Sequence, residues 1–132
     1  MRGKPFGLPR TQRIRKRPEF VRIQDSAGNV GRVGTPHLLF LLARSAAPDD
    51  PRPPPRLGVV ASRKVGPAVA RNRAKRLVRE AFRLNQALLP RGLDLVVIIR
   101  PGTHALGLDE VAAELTRAAP HVARRARALE KR

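Results

Sequence analysis

The chain has no cysteine, tryptophan or tyrosine, only four phenylalanines, and 10 acidic residues against 28 lysines and arginines. Each shortage excludes something. Without cysteine there is no disulfide framework and no thiolate zinc site, which suits a reducing compartment. No apolar run approaches the roughly 20 residues of a membrane-spanning helix; the longest apolar strand candidate, Leu95 to Ile99, is far shorter. Met1 to Arg10 is basic but is not followed by the apolar core of a secretory signal, so the expected residence is the cytoplasm, with no membrane partner. The lack of acids leaves a net charge of +18, and a compact chain with that charge repels itself unless an anion lies beside it. A polyanionic partner is the economical explanation. Only Lys4, Lys16, Lys64, Lys75 and Lys131 among the cations are lysine. The arginine excess supplies planar forks that grip phosphate, although a GC-rich genome would give the same bias.

A length of 132 residues suits one domain. Residues 1–17 are basic, carry Pro5 and Pro9 and lack periodicity, which predicts a flexible arm that is disordered or ordered only on binding RNA. Pro18 stands where a first helical residue would, and Glu19, Phe20, Val21 and Ile23 give one or two helical turns. Gly28, Gly31 and Gly34 then imply a short irregular strand or turn, and the run Leu38 to Leu42 a buried strand. Residues 46–55 hold five prolines and form a loop. Residues 56–62 resume a strand, and Gly66 and Pro67 start a helix. In that helix Ala70, Ala74, Leu77, Ala81, Leu84 and Leu88 fall on one stripe, with Arg71, Asn72, Lys75, Arg76, Arg79 and Arg83 opposite. Pro90 and Gly92 stop it before a strand over Leu93 to Ile99. A last helix starts near Leu108, with Asp109 and Glu110 in its first turn, and Pro120 kinks or ends it, leaving residues 120–132 as a basic tail. The expected fold is α+β: one RNA-binding α/β domain over 18–119 with a small mixed sheet.

Phosphodiester cleavage by the chain itself would need clustered carboxylates for Mg²⁺ or a placed histidine pair. Neither pattern is visible. Asp49 and Asp50 lie in the proline loop, Glu80, Asp94 and Glu130 are isolated, and each carboxylate reads as solvated or as complementing a helix dipole. His37, His104 and His121 share no metal-ligand spacing. No catalytic residue, metal site or small-molecule ligand is expected.

The positive signal is the segment Ala61 to Arg83. It is a strand end bearing Ser62, Arg63 and Lys64, a glycine turn, and a helix whose cationic face has Glu80 as its sole acid. Solvated helix faces usually interleave acids for i, i+4 pairing, so contact with nucleic acid is favoured over mere solvation. The run Arg71-Asn72-Arg73-Ala74-Lys75-Arg76, continued by Leu77, Arg79, Glu80, Phe82 and Arg83, resembles the RNR signature of the bacterial ribonuclease P protein. The flanks agree: Arg13 to Phe20 resembles the family's N-terminal segment, Arg56 to Gly66 the strand and basic turn before the signature, and Arg91 to Gly102 the strand after it.

The resemblance implies an α/β sandwich of order αβββαβα, with a four-stranded mixed sheet and a left-handed crossover. It implies a subunit that binds the ribonuclease P RNA, one protein to one RNA, and the 5′ leader of precursor tRNA, while the RNA holds Mg²⁺ and performs 5′ maturation. By position, Arg71, Asn72, Arg73, Lys75, Arg76 and Arg79 would face that RNA, with Ser62, Arg63, Lys64 and Arg83 beside them. Arg13, Arg15 and Phe20 would line the leader cleft with Phe40 or Leu41, although Phe20 reads equally well as core. Gln24 one turn after Phe20 departs from relatives with an aromatic there, so leader binding would lean on charge and aliphatic contact. The alternative is a ribosomal or other structural RNA-binding protein. A DNA-binding module would want a helix-turn-helix pair, which is not visible.

Overall fold

The computed structural model describes residues 8–28, 30–45 and 52–130. The expectations for residues 1–7, for 46–51 of the proline loop, including Asp49 and Asp50, and for 131–132 fall outside them. The elements are α1 (Arg17–Ala27), β1 (Arg32–Gly34), β2 (Leu38–Arg44), β3 (Arg56–Ala61), α2 (Ala68–Asn85), β4 (Leu93–Ile99) and α3 (Leu108–Glu130). The order αβββαβα is the expected one. No helix among the described residues is long and apolar enough to cross a membrane.

The four strands lie in the order β1-β2-β4-β3. β2 is antiparallel to both neighbours, whereas β3 runs parallel to β4, so α2 is the crossover joining that pair. The central places go to β2 and β4, whose largely apolar sequences, broken only by Arg44 and Asp94, suit strands covered on both faces. On one face Leu38, Phe40, Leu42, Leu57, Leu95 and Val97 meet α2 and α3 in the larger core. On the other, Leu41, Ala43 and Val96 meet Ile14 and the α1 residues Ile23 and Ala27.

Three local expectations are corrected by packing. α1 runs 11 residues, well beyond one or two turns, because Ile23 and Ala27, one turn apart, are both fully buried. The arm is docked from Leu8 onward: Leu8, Gln12 and Ile14 are buried, Ile14 N donates to Leu57 O at 2.8 Å, and Gln12 donates to Pro55 O at 3.1 Å. α3 passes through Pro120, so the described part of the supposed tail is helix. Proline inside a helix costs about 3 kcal/mol. The apolar stripe continues past it with Val122, Ala126 and Leu129, all buried, and burying a valine or leucine side chain is worth about 1.5–3 kcal/mol each. Tertiary burial therefore outweighs the local penalty.

α3 is also tied to the β1–β2 turn by Glu114, which is only 4% exposed. It accepts hydrogen bonds from Thr35 Oγ1 (2.6 Å), His37 N (3.0 Å) and His37 Nδ1 (2.5 Å). Burial pushes its carboxyl up, but the bonds from Thr35 and His37 outweigh this and hold it below its ordinary value of 4.5. A carboxyl depressed in the folded state stabilises the fold above the unfolded value and loses that contribution as the pH falls through the folded one. Glu114→Gln is therefore expected to lower stability near pH 7 by about 2 kcal/mol and to flatten the decline below pH 4.5. Urea unfolding of both proteins across pH measures this, and parallel profiles would remove Glu114 from the acid limb.

Candidate nucleic-acid interface

The basic turn after β3 is built by short-range bonds. Ser62 Oγ accepts from Lys64 N at 3.3 Å and Val65 is buried, which leaves Arg63 and Lys64 exposed at the strand end. Gly66 has φ +144°, and a Cβ there would lie 3.0 Å from that of Ala70, so glycine is required where the chain turns into α2.

α2 packs on a stripe rotated from the expected one. Ala74, Val78, Ala81 and Phe82 are buried, while Leu84 and Leu88 are 55% and 50% exposed. The cations consequently wrap the helix rather than opposing its core. Asn72 and Arg76 point outward. Arg71, Lys75 and Arg79 are half-buried along one flank. Exposed Arg73 lies on the other flank, where its Nε donates to His104 O at 2.8 Å. Arg83 pairs with Glu80. Burial, then the charges of Arg13 and Arg76, push the Arg79 guanidinium below its ordinary value, as expected where cations crowd without acids.

The opposite face holds a second feature. Strand register sets three rows across β2, β4 and β3: Ala43–Asp94–Arg56, Leu41–Val96–Gly58 and Leu39–Ile98–Val60. In the first, Asp94 is fully buried between Arg22 (2.6 Å) and Arg56 (2.9 Å), and Arg56 also reaches Glu19 at 3.0 Å. The bond from Asp94, against burial, holds Arg56 far above its ordinary value. Asp94 is thus an internal anchor of α1, not the solvated carboxylate expected. The second row lies under α1, where Gly58 makes room for Phe20: a Cβ would sit 2.6 Å from the ring. The third row is partly exposed and apolar, and its Val60 stands two residues before Ser62. Phe20 at one side and the Arg63–Lys64 turn at the other frame an open apolar floor.

Of the expected cleft residues, Phe20 borders this floor and is half-buried. Phe40 does not: it is 1% exposed and faces α2 and α3, because side chains alternate along a strand and Phe40 falls between Leu39 and Leu41. Leu41 is on the right face but is buried under α1. Arg13 lies on the α2 side beside Arg79, its Nε donating to Leu8 O at 2.9 Å, while Arg15 is exposed. The residues missed were Leu39, Val60 and Ile98. Among the described residues no three His, Asp or Glu side chains converge to hold a metal ion.

A family model described as Ribonuclease P matches residues 8–123. The chain belongs to this family. The ribonuclease P protein component of Desulfovibrio desulfuricans is 43% identical over 111 residues, covering 82% of this chain and 80% of that protein. That of Dictyoglomus thermophilum is 33% identical over 108 residues, covering 79% and 80%. The solved ribonuclease P protein of Thermotoga maritima superposes with a TM-score of 0.67 at 30% identity, over 81% of this chain and 94% of that one. The ribonuclease P family match contains both the α2 surface and the apolar floor and ends inside α3.

Because the Phe20 ring rests against Gly58, Gly58→Ala is expected to force the ring or α1 outward and to cost about 1–3 kcal/mol by overpacking. Thermal unfolding measures the loss. Unchanged stability would show that α1 does not depend on this close approach.

Proposed function

We propose that this chain acts as the protein component of ribonuclease P, binding the catalytic RNA through α2 and the 5′ leader of precursor tRNA along the Leu39–Ile98–Val60 floor. The observation that carries this reading is the helix Ala68–Asn85, whose cations cover both flanks with Glu80 as the sole acid, continuous with the Arg63–Lys64 turn. Phosphates relieve such crowding, and arginine forks hold them bidentately. The floor takes bases by aliphatic contact and through the one ring at its border, since a π-face tolerates any base. Mg²⁺ and bond cleavage belong to the RNA in this reading; the chain holds and orients both RNAs, one protein per catalytic RNA, in the cytoplasm.

Nuclease-treated protein alone is expected not to cleave precursor tRNA, and adding a bacterial ribonuclease P RNA is expected to give 5′ cleavage at low Mg²⁺. Robust RNA-free cleavage, or recovery of ribosomal RNA in place of ribonuclease P RNA after a high-salt wash, would overturn the reading. In the holoenzyme, Phe20→Ala should weaken precursor more than mature tRNA, by roughly 1–3 kcal/mol for one stacked base. An equal effect on both substrates would assign Phe20 to the core alone.

A further inference from the structure

The sheet has one covered and one open edge. Beside β3, residues 13 and 14 continue the sheet through Leu57. β1 stands at the opposite end of the strand order, and between it and the C-terminal half of α3 runs a groove of about 510 Å³ lined by Arg32, Gly34, His121, Arg124 and Arg125. The exposed Arg32, Arg124 and Arg125 have no carboxylate partner among the described residues. The guanidinium of Arg124 lies within hydrogen-bond contact of His121 Nδ1. The hydrogen bonds Leu42 N to Gly31 O and Thr35 N to Leu38 O, both 2.8 Å, bracket β1. They set an alternation that turns the backbone N–H groups of Arg32 and Gly34 to the open edge.

We propose that this groove is a second RNA-contact surface, distinct from α2 and from the apolar floor, that holds the phosphodiester backbone of a further segment of the catalytic RNA. The inference rests on the reading of the chain as the protein component of ribonuclease P. Arg124 and Arg125 on α3, an imidazole and the edge amides form a set of donors without carboxylate partners, which suits successive phosphates. Arg32 stands at the rim, where its register with Leu41 starts its side chain toward the other face. An added protein strand is disfavoured, because β1 offers only three residues to pair with. The family match ends at residue 123, so it contains Arg32, Gly34 and His121, whereas Arg124, Arg125 and Ala128 lie in the part of α3 beyond it.

The absence of cysteine allows a direct test. Val69→Cys at the start of the signature helix and Ala128→Cys beside the groove, both exposed positions, each carry a tethered iron chelate that generates hydroxyl radicals in holoenzyme reconstituted with a bacterial ribonuclease P RNA. Cuts are expected from both probes, in different RNA segments. Replacing Arg32, Arg124 and Arg125 by Gln should abolish the Ala128→Cys cuts and keep those from Val69→Cys. It should also reduce the log–log salt slope of RNA binding by about 2, with no fall in melting temperature. Cuts from Val69→Cys alone, or an unchanged slope in the triple variant, overturn the groove and leave the proposed function standing. No cuts from either probe overturn both.

Discussion

A single buried carboxylate fixes the geometry on which the α1 face depends. Asp94 sits on the central strand β4 with no solvent exposure, gripped by Arg22 from α1 and Arg56 from β3. An unpaired carboxylate there would cost several kcal/mol; Arg56 binds both of its oxygens, and Arg22 adds the contact that ties α1 to the sheet. Buried ion pairs add little net stability compared with apolar packing. What this one contributes is position: with Arg22 and Glu19 held to one row, Phe20 falls on Gly58 in the next, and the row beyond stays open.

The distribution of the few acids decides where the surplus cations are left free. Glu19 and Asp94 are spent inside the α1 anchor and Glu114 inside the α3 clamp. Asp109 and Glu110 occupy the first turn of α3, where Glu110 Oε1 accepts from Gly107 N at 2.9 Å and complements the helix dipole. Glu80 pairs with Arg83. Little remains to neutralise Arg63, Lys64, Arg71, Arg73, Arg76 and Arg79, so the basic surface is defined as much by where acids are consumed as by where arginines were placed.

The strands and the signature face were legible in the sequence because their signals are local. Apolar runs bounded by proline and glycine placed β2, β3 and β4 within a residue or two, and the cationic crowding between Ser62 and Arg83 needs no tertiary knowledge. The phase of α2 was not legible. Leu77, Leu84 and Leu88 make as regular a stripe as Val78, Ala81 and Phe82, and only the packing of the second into the core with the sheet and α3 decides between them. The cleft floor was hidden for a related reason: apart from Asp94 and Arg44, β2 and β4 are apolar on both sides, so hydropathy does not reveal which face α1 leaves partly bare. Pro120 misled because its penalty is local whereas Val122, Ala126 and Leu129 act through the tertiary core.

In the proposed function, charge crowding links folding to RNA binding. In the free chain Arg13 and Arg76 act against the charge on Arg79, a repulsion that the ordered arm must work against to dock beside α2. A phosphate placed among them reverses the sign of every pairwise interaction at that site, and a ligand that binds only the folded state stabilises it by mass action. The arm also carries Ile14 into the same small core that seats Phe20 and Val96. The α2 face and the apolar floor thus share one support, the docked segment Leu8 to Ile14 at the β3 edge of the sheet.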